Sequence, residues 1–239
     1  MTDFGLRPDE IQVWWASMDN IEPQIERFRL LLDEAELVRA DRLRVSAARR
    51  RFIGARAMLR AILGRAVGVK AEDVAFTFGP YGKPRLATGG PFFNATDSGD
   101  VVVVALASDE IGVDVEVVRR LTRAGRLARR VCTDREFDAL EEMTEADRNA
   151  ALLRLWTCKE AGLKAIGTGL RGGMRNVEVD LTPGRALGLR QLCGEIDGWT
   201  LLPVDLQPDL ICTIVIRGGD RRVVSQRWPL SMTGTADVC

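Results

Sequence analysis

The stretch that most constrains this chain runs from Val101 to Val117. Val101–Ala107 is an unbroken apolar run, Val-Val-Val-Val-Ala-Leu-Ala. It is short and rich in β-branched residues, which suits a strand buried on both faces. Any sheet that contains it must therefore be well covered. After Ser108–Glu110 comes Ile111-Gly112-Val113-Asp114-Val115-Glu116-Val117, in clean alternation. Val113, Val115 and Val117 point one way and Asp114 and Glu116 the other, residues i and i+2 lying roughly 7 Å apart on one strand face. Two carboxylates so placed repel each other unless a cation lies between them, and oxygen ligands suit Mg²⁺. The other reading is an ordinary solvent-facing side of a strand.

A second stretch poses the same question on a helix. Between Leu152 and Ile166 the apolar residues Leu152, Leu155, Trp156, Leu163 and Ile166 gather on one side at about 100° per residue. Lys159 projects from the middle of that stripe. Glu160 sits at its edge, one turn after Trp156 and one turn before Lys164. Charges aimed at a packed side need partners, because unpaired buried charge is costly. An internal ion pair would serve, and so would an anionic ligand with a metal ion.

Composition removes several classes of chemistry. The 239 residues contain no histidine, so imidazole triads, His–metal sites and imidazole proton shuttles are excluded. Lys and Arg together balance Asp and Glu, 34 against 34, which argues against a nucleic-acid or membrane binder held by bulk charge. The five cysteines are scattered without a CxxC pair, as expected for a reduced, cytoplasmic protein lacking a disulfide framework or zinc cage. Met1–Glu10 carries no apolar run and no stretch approaches transmembrane length, so neither a signal peptide nor a membrane anchor is expected. Lysine is confined to Lys70, Lys83, Lys159 and Lys164. In a chain this biased to arginine, that suggests positions where a compact point charge is wanted.

Taken in order, Ile11–Ala16 reads as a strand and the region from Pro23 to Leu63 as helical. The run from Leu43 to Leu63 is densely basic, and Arg49, Arg56 and Arg60 share one broad face that could cradle phosphate. A nucleic acid is the other ligand such a face could take, though aromatic interleaving is lacking. Strands are expected at Val74–Phe78, Phe92–Thr96, Val177–Leu181, Trp199–Val204, Leu210–Ile216 and Arg222–Trp228. Gly79–Pro84 is a rigid turn presenting Lys83. A helix is expected from Arg135 to Met143, capped by Thr133 or Asp134, and another from Asp147 to Ile166. Strand–helices–strands thus occurs twice, with the break near Ser108–Glu110. Pro229–Cys239 reads as a frayed tail.

Gly112-Val113-Asp114-Val115-Glu116, followed some forty residues later by Trp156-Thr157-Cys158-Lys159-Glu160-Ala161 and Lys164, resembles the 4'-phosphopantetheinyl transferases of the longer, pseudo-dimeric Sfp type. Tyr81-Gly82-Lys83-Pro84, the Phe93–Asp100 segment and Arg56 fit the same pattern. The resemblance spans about Arg49 to Leu170. It implies an α+β fold of two similar subdomains related by a pseudo-twofold, each a small, mainly antiparallel sheet packed with helices, with the ligand cleft between them. Residues 1–108 would form the first half, 109–228 the second half with the metal site, and 229–239 a tail.

The resemblance further implies Mg²⁺, with Mn²⁺ as a substitute, held by Asp114, Glu116 and Glu160 against the pyrophosphate of coenzyme A. Lys159 and Lys164 would contact phosphate, Lys83 and Arg56 the 3'-phosphate region, and Arg49, Pro84, Thr96 and Asp97 the rest of the CoA site. An acidic apo carrier protein would be the second substrate, attracted by basic segments such as Arg119–Arg130, and the enzyme would be a monomer. Glu160 would be the base, with Lys159 assisting. Two residues depart from the family's pattern. Asp97 stands where the family has histidine beside CoA phosphate, and is expected to be salt-bridged rather than phosphate-facing. Gly162 stands where a larger residue is common, under the pantetheine arm. A weakened CoA- or carrier-binding homologue, and a nucleic-acid binder using the Arg39–Arg65 helix, are the alternatives.

Overall fold

A computed structural model describes residues 6–19, 21–182, 187–194, 197–219 and 221–229. In chain order the first part holds β1 (Glu10–Ser17), α1 (Ile25–Arg29), α2 (Glu34–Arg42), α3 (Ser46–Val67), β2 (Phe76–Phe78), β3 (Pro84–Leu86), β4 (Phe92–Ser98) and β5 (Val101–Ala107). The second holds β6 (Ile111–Val117), α4 (Ala124–Val131), α5 (Asp134–Glu141), α6 (Glu145–Ile166), β7 (Val177–Asp180), β8 (Gly188–Leu192), β9 (Trp199–Val204), β10 (Leu210–Arg217) and β11 (Arg222–Arg227). Side-chain caps start three of the helices: Asp33 and Thr133 form capping boxes with Glu36 and Glu136, and Thr144 accepts from the amide of Asp147.

The expected duplication is present in the topology. Each part reads strand, helices, short hairpin, strand, strand. Each arranges its three long strands with the last one central, β1-β5-β4 and β6-β10-β9, all antiparallel. The principal helix of each, α3 and α6, has 22 residues and stops at a glycine, Gly68 at φ 72° and Gly167 at φ 75°. Both glycines adopt the left-handed conformation that a helix stop of this kind requires. The hairpin strands β3 and β8 were not expected from the sequence. β11 crosses the boundary expected at 108/109, since it pairs in parallel with β1 and extends the first sheet. The expected tail lies outside the described residues from 230 onward.

β5 is covered on both faces, as its apolar run requires. Val102, Val104 and Leu106 pack against α3 residues such as Met58 and Leu63. Val103 and Ala105 pack with Val113, Val115, Ile214 and Ile216 of the second sheet. α6 covers the opposite face of that sheet through Leu155, Cys158, Ala161 and Leu163. The alternation in β6 therefore sends its valines into the core between the sheets and its carboxylates towards α6 and β4.

Candidate active site

β4 runs beside β6 without a shared backbone ladder, and its side chains make the junction. Every second residue of β4 points the same way, and these are Asn94, Thr96 and Ser98. Asn94 Oδ1 accepts from the amide of Val113 at 2.9 Å, Thr96 Oγ1 donates to Asp114 Oδ1 at 3.0 Å, and Ser98 Oγ donates to Glu116 Oε2 at 2.8 Å. The polar residues of the Phe93–Asp100 segment thus position both carboxylates of β6.

α6 closes the other side. It can approach because β6 has Gly112 there: a Cβ at that position would lie 2.1 Å from the Ala161 carbonyl oxygen and 2.3 Å from the Ala165 amide nitrogen. This contact brings Lys164 Nζ to Asp114 Oδ1 at 2.6 Å, with further donation to Thr96 Oγ1 at 3.0 Å and the Val113 carbonyl at 3.3 Å. Burial, aided by Glu116, raises the pKa of Asp114 despite the opposing effects of Lys164 and Thr96. Burial likewise raises that of Glu160, with Asp114 and Glu116 pushing further and Lys164 pulling back. The three carboxylates therefore share one electrostatic neighbourhood.

The donor set suits a hard cation, and one buried atom calls for a partner: Asp114 Oδ2 has none. Glu116 is already engaged by Ser98 and by Arg119 at 2.6 Å. Among the described residues, no three Asp, Glu, Cys or His side chains converge closely enough to hold a metal on their own. Mg²⁺ does not require three, because it keeps several waters and is bound through one or two carboxylates plus substrate phosphate.

Beside this seam opens a cleft of about 430 Å³ lined by Arg39, Arg51, Phe52, Arg56, Thr96 and Asp97 among others. Thr96 belongs to both, lining the cleft and bonding Asp114. Arg39 and Arg51 were not singled out from the sequence. Their only signal there was a place on the basic helices, which many other arginines share.

Several expected site residues lie elsewhere or are otherwise engaged. Lys159 is fully buried on the far side of α6. It pairs with Glu136 at 2.7 Å and donates to the carbonyls of Met174 and Val177, so it faces no phosphate. Of the expected arginine cradle, Arg60 is fully buried against Glu36, Asp33 and the carbonyls of Ala71, Glu72 and Val74. Arg49 donates to the Leu43 carbonyl at 2.8 Å. Arg56 pairs with Glu36 over the Phe76 ring and still borders the cleft.

Lys83 is turned inward, to Glu110 at 2.9 Å and the carbonyls of Ile111 and Ala165, and burial lowers its pKa. Pro84 opens β3 opposite Phe78. Asp97 makes no ion pair among the described residues, contrary to expectation, and stands in the arginine-lined cleft. Gly162 lies under Leu192 and Val177 of the β7–β8 hairpin, so its missing side chain accommodates that hairpin.

Residues 110–215, which hold Asp114, Glu116, Glu160 and Lys164, match the family model of the 4'-phosphopantetheinyl transferase superfamily. The chain is 33% identical over 216 residues to the 4'-phosphopantetheinyl transferase HetI of Nostoc, covering 88% of each chain. It is 27% identical over 114 residues to Sfp of Bacillus subtilis, covering 47% of this chain and 50% of that one. Among solved structures, holo-[acyl-carrier-protein] synthase from Neisseria meningitidis aligns with a TM-score of 0.37 and 23% identity, over 46% of this chain and 98% of that one. By its likeness along nearly its whole length to HetI, the chain belongs to the 4'-phosphopantetheinyl transferase superfamily.

Proposed function

We propose that this phosphopantetheinyl transferase takes the 4'-phosphopantetheine arm from coenzyme A and attaches it to a serine of an apo carrier protein, releasing 3',5'-ADP. The observation that carries the reading is the link made by Thr96, between an arginine-lined cleft and a buried carboxylate that already holds a lysine. The cleft suits the phosphates of the nucleotide half of CoA, with Arg39, Arg51 and Arg56 as donors. Lys164 lies where it can shift from Asp114 to the pyrophosphate. Asp114, through its free Oδ2, would be the main protein ligand for Mg²⁺, with Glu116 and Glu160 acting directly or through water. Bound there, the ion supplies neutralisation of charge on the pyrophosphate oxygens.

Phosphoryl transfer asks the protein mainly for positioning and charge complementarity. The serine oxygen forms a bond to the β-phosphorus while the bond to the leaving 3',5'-ADP oxygen breaks. Glu160, its pKa raised by burial, accepts the serine proton. Without histidine in the chain, imidazole cannot fill that role. The carrier's seat would be the groove of about 1110 Å³ between the 118–123 segment, α4, α5 and α6. Leu121, Leu140 and Leu152 contribute apolar lining, and Arg119, Arg120 and Arg148, paired here with Glu116, Glu145 and Glu141, would exchange those partners for the carboxylates of an acidic helix. Arg119 joins this groove to the site through Glu116. The duplicated topology within one chain supports the longer, Sfp-type architecture acting as a monomer.

The test is the intact mass of an apo carrier protein incubated with the enzyme, CoA and Mg²⁺. A gain of one phosphopantetheine group, lost with EDTA and with Glu160→Ala, is expected. A second reading rests on Asp97, a carboxylate facing the cleft without an ion-pair partner: a homologue that binds CoA without transferring. CoA binding with no gain on any of several carriers would favour it and defeat the first.

A further inference from the structure

Lys159 and Glu136 form the most fully enclosed ion pair among the described residues, with side chains 0% and 1% exposed. Nothing in the chemistry above uses it. Glu136 Oε2 also accepts from the Thr133 amide at 2.7 Å, and Oε1 accepts from the Val179 amide at 2.8 Å. Lys159 Nζ, besides Glu136, donates to the Met174 carbonyl at 2.9 Å and to that of Val177. One carboxylate and one ammonium thus tie together the start of α5, the middle of α6, the turn before β7 and β7 itself. Every one of these bonds lies on the side of α6 away from Asp114.

Five residues along a helix amount to about 140° of rotation, so Lys159 and Lys164 leave α6 in different directions. Four residues amount to only about 40° beyond a full turn, so Glu160 and Lys164 share a side. The rotation of α6 about its own axis therefore decides where Glu160 and Lys164 stand. On the β6 side that rotation is limited by the contact at Gly112. On the other side it is limited by the Lys159 ammonium, whose three donors are all taken. Moving α6 would strip a buried charge of its partners, which is strongly unfavourable.

We propose that Glu136, acting through Lys159, is a positioning residue of the transfer reaction: the pair fixes the rotation of α6 and so holds Glu160 and Lys164 at the site, while neither member touches CoA. This rests on the transferase reading above and assigns Glu136, otherwise a member of the capping box that opens α5, a part in it. A lysine that contacted phosphate would lose CoA affinity whatever stands at position 136. A lysine that anchors the helix matters only while its charged partner remains.

The experiment compares wild type, Lys159→Met, Glu136→Gln and the double variant for kcat and KM in carrier modification, and for CoA affinity by calorimetry. Circular dichroism records folding. Each single change is expected to lower kcat at least tenfold and, by displacing Lys164, to weaken CoA binding as well. The double variant, which leaves no unpaired buried charge, is expected to recover at least threefold of the loss. If a single variant does not fold, the double variant alone is read, and its kcat is expected within tenfold of wild type. A folded Lys159→Met variant with unchanged kcat, a double variant whose CoA affinity stays as weak as that of Lys159→Met, or a double variant that fails to fold or recover overturns the proposal. A wild-type protein that modifies no carrier would instead defeat the transferase reading itself.

Discussion

Gly112→Ala is a small change with a calculable consequence. The added Cβ would meet the Ala161 carbonyl oxygen at 2.1 Å, the Ala165 amide nitrogen at 2.3 Å and the Ala165 Cα at 2.9 Å. All three are backbone atoms of α6, so no side chain can rotate out of the way. Relief to ordinary van der Waals separation requires roughly 1 Å of movement between α6 and β6. Overpacking of this kind costs about 1–3 kcal/mol, which for a chain of this size lowers Tm by roughly 2–12 °C. The functional cost should be larger than the stability cost suggests. The displaced carbonyl adjoins Glu160, and Lys164 reaches Asp114 across the same contact. A misplacement of about 1 Å can cost on the order of 100-fold in rate.

The assay pairs thermal melting with initial rates of carrier modification under saturating CoA. The control is Gly219→Ala, where a Cβ meets nothing within 4 Å. A Gly112→Ala variant with wild-type Tm and kcat would refute the claim that this glycine sets the distance between α6 and β6. A rate loss matched by Gly219→Ala would refute the link between that distance and the site.

Other outcomes follow from the same geometry. Arg60→Met removes a fully buried guanidinium that answers Glu36, Asp33 and three carbonyls, and should cost about 3–5 kcal/mol in denaturant unfolding while leaving CoA affinity of the folded protein unchanged. Arg51→Ala, in the cleft, should do the reverse, weakening CoA roughly tenfold by calorimetry with little change in stability. The pKa values of Asp114 and Glu160 are raised in the folded chain, so their penalty on folding is absent below the unfolded values near 4. It grows as pH rises through those values and levels off above the raised folded ones. Mg²⁺ should therefore raise Tm more at pH 7 than at pH 4.5. An equal rise at both would place the ion elsewhere.

The long strands were legible because burial on one or two faces prints itself as alternation or as an apolar run; Val101–Val117 is the plainest case. The three-residue β3 and the Gly-led β8 carry too few apolar residues to show any period. Asp114, Glu116 and Glu160, the carboxylates proposed to serve the cation, stand out in the sequence as well, because carboxylates on one strand face and at the edge of an apolar stripe need an explanation. Lys159 was misassigned to phosphate although the two lysines of its motif cannot face the same way on a helix. Its place inside the apolar stripe already offered the internal ion pair that the structure contains. What could not be read was Glu136. It lies 23 positions before Lys159, on a separate helix, and only the packing of α5 on α6 brings the two together. The arginines of α3 were equally ambiguous, since a guanidinium that fastens loops and one that faces a ligand have the same sequence spacing.

The central claim is that the seam between β4, β6 and α6 is where the cation and CoA meet. A crystal of the protein with CoA and Mn²⁺, examined by anomalous scattering, tests it most directly. The account predicts a single strong peak at coordination distance from Asp114 Oδ2, with the CoA pyrophosphate on its other side and Lys164 turned onto a phosphate oxygen. Mn²⁺ away from Asp114, or CoA lying outside the cleft that Thr96 borders, would contradict it.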